Sequence, residues 1–315
     1  MPTVSLEIDK SLHSRIEKAY ELAIKNAPSD LGITTYWKEH LANIKIQGSG
    51  GSVKLSGESG FYFPGATYSS YDKYNAIKKK PFIDASNIKL SLPAGIGYEM
   101  DGRRISFDYV RAQFHIESIA KAFPSLSKCR TLLEIGSGTG IQAFAFSQFL
   151  PGITYIMVDL PGTLAFASYF LAKASPQSKF LYYHEWLESG LTNADFVFLP
   201  FYEISKLPDG ICDLALNTDS MQEMNYETIG KYFQQLRRLL RGPRLFYQSN
   251  RKSKMMDGED IQVDKFPYKK EDNPLFKREN PFMAEHWVKR KKFGLIPYAA
   301  KTYRTHIQSL TELSA

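Results

Sequence analysis

The sequence predicts an α/β protein built on a mostly parallel sheet, with a helical extension at its N-terminus. Three observations support this fold class. From residue 106 onward, short apolar segments alternate with longer segments of helical periodicity. A glycine-rich loop follows the first apolar segment, and an acidic residue ends the second. Such alternation is typical of a parallel sheet covered by helices on both faces.

The strands are predicted where short apolar runs meet loop residues. They cover residues 131–135, 154–158, 196–199, 211–216 and 245–248. The intervening helices are predicted over residues 141–150, 163–171 and 226–240. The last helix is the best defined, because its apolar residues share one face and its C-terminal end carries arginines that the helix dipole favours. We expect residues 299–310 to return as an antiparallel strand, and the fold class expected overall is a Rossmann-like, mostly parallel sheet of seven strands.

The first 104 residues are expected to form the extension, and residues 105–315 the main domain. Helical periodicity predicts helices over residues 11–26, 35–46 and 106–123. Residues 48–75 instead combine glycine and serine with many aromatic side chains, in a chain that is 14% aromatic. Glycines permit closure and aromatic rings suit the apolar faces of sugars, so this stretch is predicted to be a lid or acceptor wall. A surface loop without such a role fits the composition equally well.

Composition excludes several classes of protein. A chain of 315 residues with 43% hydrophobic and 23% charged residues is neither collagen-like nor wholly disordered. The net charge of +7 is small, and no nucleic-acid-binding module is recognisable, so nucleic acid is not the expected partner. Cys129 and Cys212 lack the spacing of a zinc site or a disulfide framework. No apolar run is long enough to span a membrane and no secretory leader is recognisable, so we expect a soluble cytoplasmic protein.

The most specific motif is the loop that follows the first strand. Residues 133–140 read Leu-Glu-Ile-Gly-Ser-Gly-Thr-Gly, so glycines occupy positions 136, 138 and 140. Glycine is needed where the backbone turns sharply or approaches a ligand too closely for a Cβ atom. A tight strand-to-helix turn without any ligand would also use glycine. The loop therefore predicts a nucleotide-type site only in combination with its neighbours.

Two carboxylates indicate which ligand the loop would bind. Glu134 stands directly before the loop, where it disfavours a pyrophosphate but suits a ligand that carries ammonium and sulfonium charges. Asp159 ends the second strand, about 20 residues further on, where a carboxylate can accept both hydroxyls of a ribose. The glycine spacing also differs from the GxGxxG of nicotinamide enzymes. These features favour an adenosine ligand with a cationic amino-acid tail over NAD.

With these residues the sequence resembles the class I S-adenosylmethionine-dependent methyltransferases. The resemblance implies that S-adenosylmethionine is the cofactor and assigns its methionine part to Glu134, Gly136, Ser137, Gly138 and Gly140. It assigns the ribose to Asp159, beside Leu160. The acidic residue that usually follows the third strand and binds adenine is missing, so Phe201 or Tyr202 is expected to contact the adenine ring.

A closer resemblance covers about residues 105–250. The glycine motif, the segment Met-Val-Asp-Leu-Pro at residues 157–161 and the segment Asn-Thr-Asp-Ser-Met-Gln-Glu-Met at residues 217–224 together resemble the bacterial sugar O-methyltransferases. This implies methyl transfer to a hydroxyl of a sugar or glycosylated metabolite, with Asn217 near the cofactor. The alternatives are O-methylation of a phenol or polyketide, and a catalytically silent methyltransferase fold that binds a partner.

Methyl transfer to a hydroxyl calls for a base or a metal near the end of the fourth strand. Glu223 and Asp219 are the carboxylate candidates, either as a base or as ligands of a divalent cation. Ser220 and Glu223 also have the spacing of a helix capping box, which is a purely structural alternative. Among the histidines, His286 is the preferred further candidate, whereas His115 and His184 are expected to be structural.

Two basic features complete the prediction. Arg111, on the helix before the first strand, is a candidate to pair with the cofactor carboxylate, although an exposed helical arginine is the simpler interpretation. The run Lys289-Arg290-Lys291-Lys292 indicates either a solvated surface or attraction for a phosphorylated or nucleotide-linked acceptor.

Overall fold

A computed structural model describes residues 3–30, 32–49, 51–56, 92–93, 97–100, 102–292 and 296–315. The α-helices in these ranges are α1 (Lys10–Lys25), α2 (Thr35–Ala42), α3 (Phe107–Ala122), α4 (Ile141–Phe149), α5 (Pro161–Ala174), α6 (Tyr183–Ser189) and α7 (Tyr226–Leu239). The strands are β1 (Thr3–Glu7), β2 (Lys45–Ser49), β3 (Ser52–Ser56), β4 (Tyr98–Met100), β5 (Arg103–Ile105), β6 (Thr131–Ile135), β7 (Thr154–Asp159), β8 (Phe180–Leu181), β9 (Phe196–Pro200), β10 (Cys212–Thr218), β11 (Leu240–Arg251), β12 (Ser253–Met256), β13 (Glu259–Gln262), β14 (Asn273–Glu279), β15 (Glu285–Lys292), β16 (Ile296–Tyr303) and β17 (His306–Glu312).

The central sheet has the order β14-β17-β11-β10-β6-β7-β9-β8. Within it, β17 is antiparallel to both of its neighbours, and the other described pairings are parallel. The predicted α/β fold class with a mostly parallel sheet is therefore confirmed. The sheet has eight strands and not seven, because the two-residue strand β8 adds an edge beside β9.

The middle of the sheet is fully buried, as its continuous apolar sequence predicts. Leu133, Ile156 and Val197 lie side by side on β6, β7 and β9, and none of the three is exposed to solvent. Strands buried on both faces do not alternate apolar and polar residues. This pattern leaves polar chemistry to the strand ends, where the chain leaves the core.

Two predicted elements end differently from the prediction. The helix predicted over residues 35–46 stops at Ala42, and β2 follows and pairs with β3. The strand predicted over residues 299–310 is two strands: β16 forms a hairpin with β15, and β17 joins the central sheet from His306. Both halves therefore pair antiparallel, but only the second half joins the central sheet as predicted.

The N-terminal segment packs on the outer helices of the sheet. Ile16, Ala19 and Ala23 form the buried stripe of α1, which contacts α5 and α6. Arg15 Nε donates to Glu185 Oε1 on α6 at 2.7 Å, and α1 is thereby fixed to the main sheet layer. The aromatic residues 61–74 of the predicted lid lie outside the described residues.

No helix in the described ranges combines the length and the hydrophobicity that a bilayer crossing requires. Both cysteines, Cys129 and Cys212, are buried and free.

A buried ion pair fastens α7 to the C-terminal segment. Arg237 contacts Asp272 through both of its terminal nitrogens, at 2.8 and 2.7 Å, and the side chains are only 12% and 2% exposed. Burial of Asp272 disfavours its charge, but the hydrogen bonds from Arg237 and Ser314 hold the pKa of Asp272 below its usual value.

We expect Asp272→Asn to destabilise the fold by about 3 kcal/mol, because it leaves the Arg237 charge buried without a partner. A depressed pKa means that this stabilisation is complete at neutral pH and is lost as pH falls below about 4. Urea denaturation measures both effects. Asp209→Asn is the matched control, since Asp209 pairs with Arg238 but is 79% exposed, and its loss should stay within about 0.5 kcal/mol. Equal losses in the two variants would contradict the prediction.

Candidate functional site

The glycine loop lies where β6 ends and α4 begins. Gly136, Gly138 and Gly140 all have positive φ angles, of 75°, 56° and 76°. A Cβ atom on Gly136 would lie 1.9 Å from Ser220 Oγ, whereas one on Gly138 would meet no atom within 4 Å. The first glycine therefore permits close packing of the chain after β10, and the second leaves open space above the loop.

Asp159 joins the loop to the end of the neighbouring strand. Its Oδ2 accepts the Gly138 N–H at 2.8 Å, with Ser137 Oγ at 3.4 Å, and its Oδ1 accepts the Leu160 N–H at 2.7 Å. Burial raises the pKa of Asp159 to about 6, and the hydrogen bonds from Leu160 and Gly138 oppose the rise. The structure thus brings four predicted cofactor residues together through one carboxylate.

Glu134 lies on the other side of the loop and faces the protein interior. It is 1% exposed, and it accepts hydrogen bonds from Gln142 Nε2 at 2.8 Å and Tyr155 OH at 2.9 Å. Burial raises the pKa of Glu134 to about 8, despite the hydrogen bond from Tyr155 and the charge of Arg111. In this arrangement each carboxyl oxygen of Glu134 accepts one hydrogen bond from the protein, so its predicted contact with a cofactor stays a prediction.

Asp219 follows β10 and is held from two sides. Arg111 Nη1 donates to Asp219 Oδ2 at 2.6 Å, and His306 Nε2 lies 3.1 Å from Asp219 Oδ1. Burial of Asp219 opposes its ionisation, but the hydrogen bond from His306 and the charge of Arg111 hold the pKa of Asp219 well below its usual range. The residue also has a positive φ of 54°, which is uncommon outside glycine. A predicted cofactor residue and a predicted catalytic residue therefore form an ion pair with each other.

Asn217 and Ser220 fix the segment after β10. Asn217 is fully buried, donates to the Ile135 carbonyl at 2.8 Å and accepts the Met221 N–H at 3.1 Å. Ser220 packs on Gly136 and forms no side-chain cap to the 3-10 helix Met221–Glu223. The capping-box interpretation of Ser220 and Glu223 is therefore wrong, because close packing on the glycine loop directs Ser220 elsewhere.

Glu223 pairs with a residue that the sequence analysis missed. Lys254 Nζ lies 2.6 Å from Glu223 Oε1, and both side chains are largely buried, at 14% and 11% exposure. Burial raises the pKa of Glu223, and the charge of Lys254 opposes the rise. Lys254 Nζ also lies 4.5 Å from the centre of the Tyr36 ring, and Thr34 Oγ1 donates to the Glu223 carbonyl at 3.0 Å. Glu223 thus lies where the N-terminal segment meets the main sheet.

The predicted adenine contacts lie in the 3-10 helix Phe201–Lys206 after β9. Tyr202 OH donates to the Ala23 carbonyl at 2.5 Å, so this ring is committed to packing against α1. Phe201 is half-buried, and its ring centre is 5.4 Å from that of Tyr202. The contact of Phe201 with adenine stays a prediction.

The histidines divide as follows. His115 is fully buried, and its Nδ1 donates to Gln142 Oε1 at 2.9 Å because the amide nitrogen of Gln142 is already used by Glu134. Burial lowers the pKa of His115 to about 4. His184 is buried on α6, away from the glycine loop. The backbone of His286 lies in β15, and its side chain falls outside the described residues.

His306 is the second residue that the sequence analysis missed. It begins β17, the strand antiparallel to its neighbours in the central sheet. An antiparallel strand starts at the edge where the parallel strands end, so its first residue reaches the candidate site. The sequence analysis placed the start of this strand at residue 299, so it did not place His306 at the strand end that meets the site.

Within the part of the chain that the structure describes, no cluster of three or more His, Cys, Asp or Glu residues has the arrangement of a metal site.

No protein-family model matches the sequence, and no curated protein matches it. Several solved structures are similar. The mitomycin 7-O-methyltransferase MmcR is 19% identical, the match covers 45% of this chain and 36% of MmcR, and the TM-score is 0.30. A precorrin-6y C5,15-methyltransferase from Geobacter metallireducens GS-15 is 12% identical, with 63% of this chain and 88% of that chain covered and a TM-score of 0.35. PigF, in a structure with SAH, is 21% identical, with 45% and 44% covered and a TM-score of 0.29. Values this low leave the family and substrate of this chain to be argued from its own residues.

We expect Gly136→Ala to destabilise the fold by about 2–4 kcal/mol, because the new methyl group collides with Ser220 in a backbone conformation already strained for alanine. Gly138→Ala has the same backbone strain but meets open space, so its loss should be about 1 kcal/mol. Urea denaturation of the two variants measures the difference. Similar losses would show that Ser220 does not pack on the loop as described.

Proposed function

We propose that this protein is an S-adenosylmethionine-dependent O-methyltransferase that transfers a methyl group to a hydroxyl of a sugar or glycosylated metabolite. The observation that carries the proposal is the hydrogen bond between the Gly138 N–H and Asp159. It places a glycine loop and a buried carboxylate together at the carboxyl ends of two adjacent parallel strands. Open α/β sheets bind their ligands at this edge.

The residues at this edge fit the adenosine part of the cofactor. An ionised carboxylate offers about four acceptor positions, and Asp159 uses three of them for protein donors, so one remains for a ribose hydroxyl. The open space over Gly138 lets a ligand approach the loop backbone. Phe201, half-buried after β9, is the residue we assign to the adenine ring.

The cofactor supplies an electrophilic methyl group, so the chain has to position a hydroxyl and accept its proton. Positioning alone contributes a large part of the rate in a displacement of this kind. Asp219 is a weak base, because Arg111 and His306 stabilise its ionised form. Glu223 suits the role better, since burial raises its pKa toward the range in which a carboxylate accepts protons efficiently.

The N-terminal segment is proposed to complete the acceptor side. Tyr36 on α2 and Thr34 before it contact Lys254 and Glu223. Aromatic rings pack against the apolar faces of sugars, which supports an acceptor wall on this side of Glu223. The division into an N-terminal extension, residues 1–104, and a main domain, residues 105–315, is kept as part of this proposal.

Asp159→Asn is expected to weaken binding of S-adenosylhomocysteine by about 1–3 kcal/mol, because it removes an ionised acceptor from the ribose. A pKa raised to about 6 in the free protein means that the carboxylate is protonated below that pH. Affinity of the unmodified protein should therefore fall by up to about tenfold per pH unit below pH 6, and that of the variant should not. Calorimetric titration between pH 5 and 8 measures both slopes. Failure of the unmodified protein to bind would refute the methyltransferase proposal, and parallel slopes would refute the ribose assignment.

Glu223→Gln should lower kcat by about 10²–10⁴ and leave KM nearly unchanged, because glutamine keeps the contact with Lys254 but cannot accept a proton. Transfer of a labelled methyl group to a panel of hexoses, glycosides, sugar phosphates and phenols identifies a working acceptor and measures both constants. Glu227→Gln is the control, since Glu227 is an exposed residue of α7 that pairs with Lys231.

An unchanged kcat in Glu223→Gln would exclude this residue as the base. Labelling of phenols alone would replace the sugar acceptor with a phenolic one. Running the same assay with a chelator separates proton removal by a side chain from activation of the hydroxyl by a divalent cation.

A further inference from the structure

A cavity lies at the carboxyl end of β11, beside the segment that carries Glu223. It has a volume of about 530 Å³ and is lined by the end of β11, the β12–β13 hairpin and the residues before β17. Three cationic residues contribute to its walls: Arg251, Lys252 and Arg304. We call this cavity the arginine cleft. None of these residues took part in the function proposed above.

Arg251 is the half-buried cation of the arginine cleft, and within the described residues it forms no direct ion pair, although the charges of Asp219 and Glu223 act on it. Its Nε atom is buried and has no hydrogen-bond partner among the residues that the structure describes. Burial lowers the pKa of Arg251, and the positive charge of Arg304 lowers it further. Two guanidinium groups therefore repel each other across the arginine cleft. A buried donor without a partner destabilises the protein, and a bound acceptor would remove that cost.

The acidic residues of the arginine cleft do not provide that acceptor. Asp264 pairs with Lys277 Nζ at 2.7 Å, and its charge also acts on Lys252. Asp260 accepts hydrogen bonds from Ser253 Oγ and from Gln262 Nε2. Each carboxylate is thus engaged by its own neighbours. Among the described residues, neither carboxylate forms an ion pair with Arg251 or Arg304, so the guanidinium donors of these two arginines are available for a ligand.

The arginine cleft lies beside the residues that are proposed to act on the acceptor. Arg251 lies opposite His306 in the pairing of β11 with β17, and His306 contacts Asp219. The Arg251 N–H donates to Gln222 Oε1 at 2.5 Å, and Gln222 precedes Glu223. Gln222 therefore contacts Arg251 of the arginine cleft and is the chain neighbour of Glu223, the proposed base. It lies on the β11 side of this segment, and the glycine loop lies on the β6 side.

We propose that the arginine cleft binds a phosphate or diphosphate group of the acceptor molecule. Guanidinium groups bind phosphate oxygens through paired, charge-assisted hydrogen bonds, and two arginines from neighbouring segments can share one phosphate. The volume accommodates a phosphate together with part of a sugar. The identification of the ligand as the acceptor rests on the proposed methyltransferase function. The binding of a phosphate does not, because it depends on the arginines alone.

Titration of the full-length protein with pyrophosphate, with inorganic phosphate and with glucose 1-phosphate tests the proposal by calorimetry. We expect pyrophosphate to bind, and Arg251→Gln to raise its Kd at least about tenfold, as expected for loss of one charge-assisted pair. Arg251→Lys keeps the charge without the paired geometry and should give an intermediate Kd. Arg304→Gln should also weaken binding.

Arg278→Gln is the matched control. Arg278 is an exposed arginine of β14 that packs against the Phe276 ring and does not line the arginine cleft. Its replacement changes the net charge by the same amount and should leave the pyrophosphate Kd unchanged. Equal weakening in Arg278→Gln and Arg251→Gln would show a general charge effect and overturn the site. Absence of pyrophosphate binding to the unmodified protein would also overturn it.

Two further measurements separate this inference from the proposed function. S-adenosylhomocysteine should bind Arg251→Gln as it binds the unmodified protein, and a loss of that affinity would assign Arg251 to the cofactor instead. If pyrophosphate binds through the two arginines but S-adenosylhomocysteine does not bind, the site stands and the methyltransferase proposal fails. Tighter binding of a ten-nucleotide RNA than of pyrophosphate, abolished in Arg251→Gln, would replace the small phosphorylated acceptor with a nucleic acid.

Discussion

The candidate site depends on the ion pair between Asp219 and Arg111. Asp219 directly follows β10 and has a backbone conformation that is uncommon outside glycine, at φ 54°. Such a conformation costs about 1–2 kcal/mol and persists only where the surroundings over-determine it. Here three elements do so: Arg111 from α3, His306 from β17 and the Ser249 carbonyl of β11, which accepts the Asp219 N–H at 2.9 Å. The turn at Asp219 then directs the next four residues across the sheet edge.

Those four residues connect the two halves of the site. Ser220 packs on Gly136, Gln222 accepts the Arg251 N–H, and Glu223 pairs with Lys254. A shift of this segment would change the glycine loop, the arginine cleft and the proposed base together. Asp219 and Glu223 each pair with a cation. Arg251, which contacts this segment from β11, forms no ion pair with an anion within the described residues. This asymmetry is the physical reason for expecting a negatively charged ligand on the β11 side.

Local sequence signals predicted the parallel strands and the glycine loop, because a buried strand must be continuously apolar and a positive φ selects glycine. Local signals do not predict contacts between residues that are far apart in the sequence. His306 and Lys254 lie 87 and 31 residues from their partners, and only the sheet order brings them close. The capping-box prediction failed for the same reason: Ser220 packs against Gly136, which is far away in the sequence, and does not cap the short helix that follows it. The N-terminal sheet of β1, β2 and β3 escaped prediction because its short strands contain many polar residues.

Glu134 shows how burial changes an argument made from residue type. The sequence analysis treated it as a negative charge that attracts an ammonium group. Burial at 1% exposure raises its pKa to about 8 and therefore favours the protonated form over the charge assumed from the sequence. The carboxyl links Tyr155 and Gln142, and Gln142 connects it to His115. Burial raises the pKa of Asp159 to about 6, so Asp159 is the carboxylate at this edge that ionises first as pH rises. Recognition of a cationic cofactor at this edge would then depend on Asp159 and on the backbone of the loop, with Glu134 acting as a positioning residue for α4.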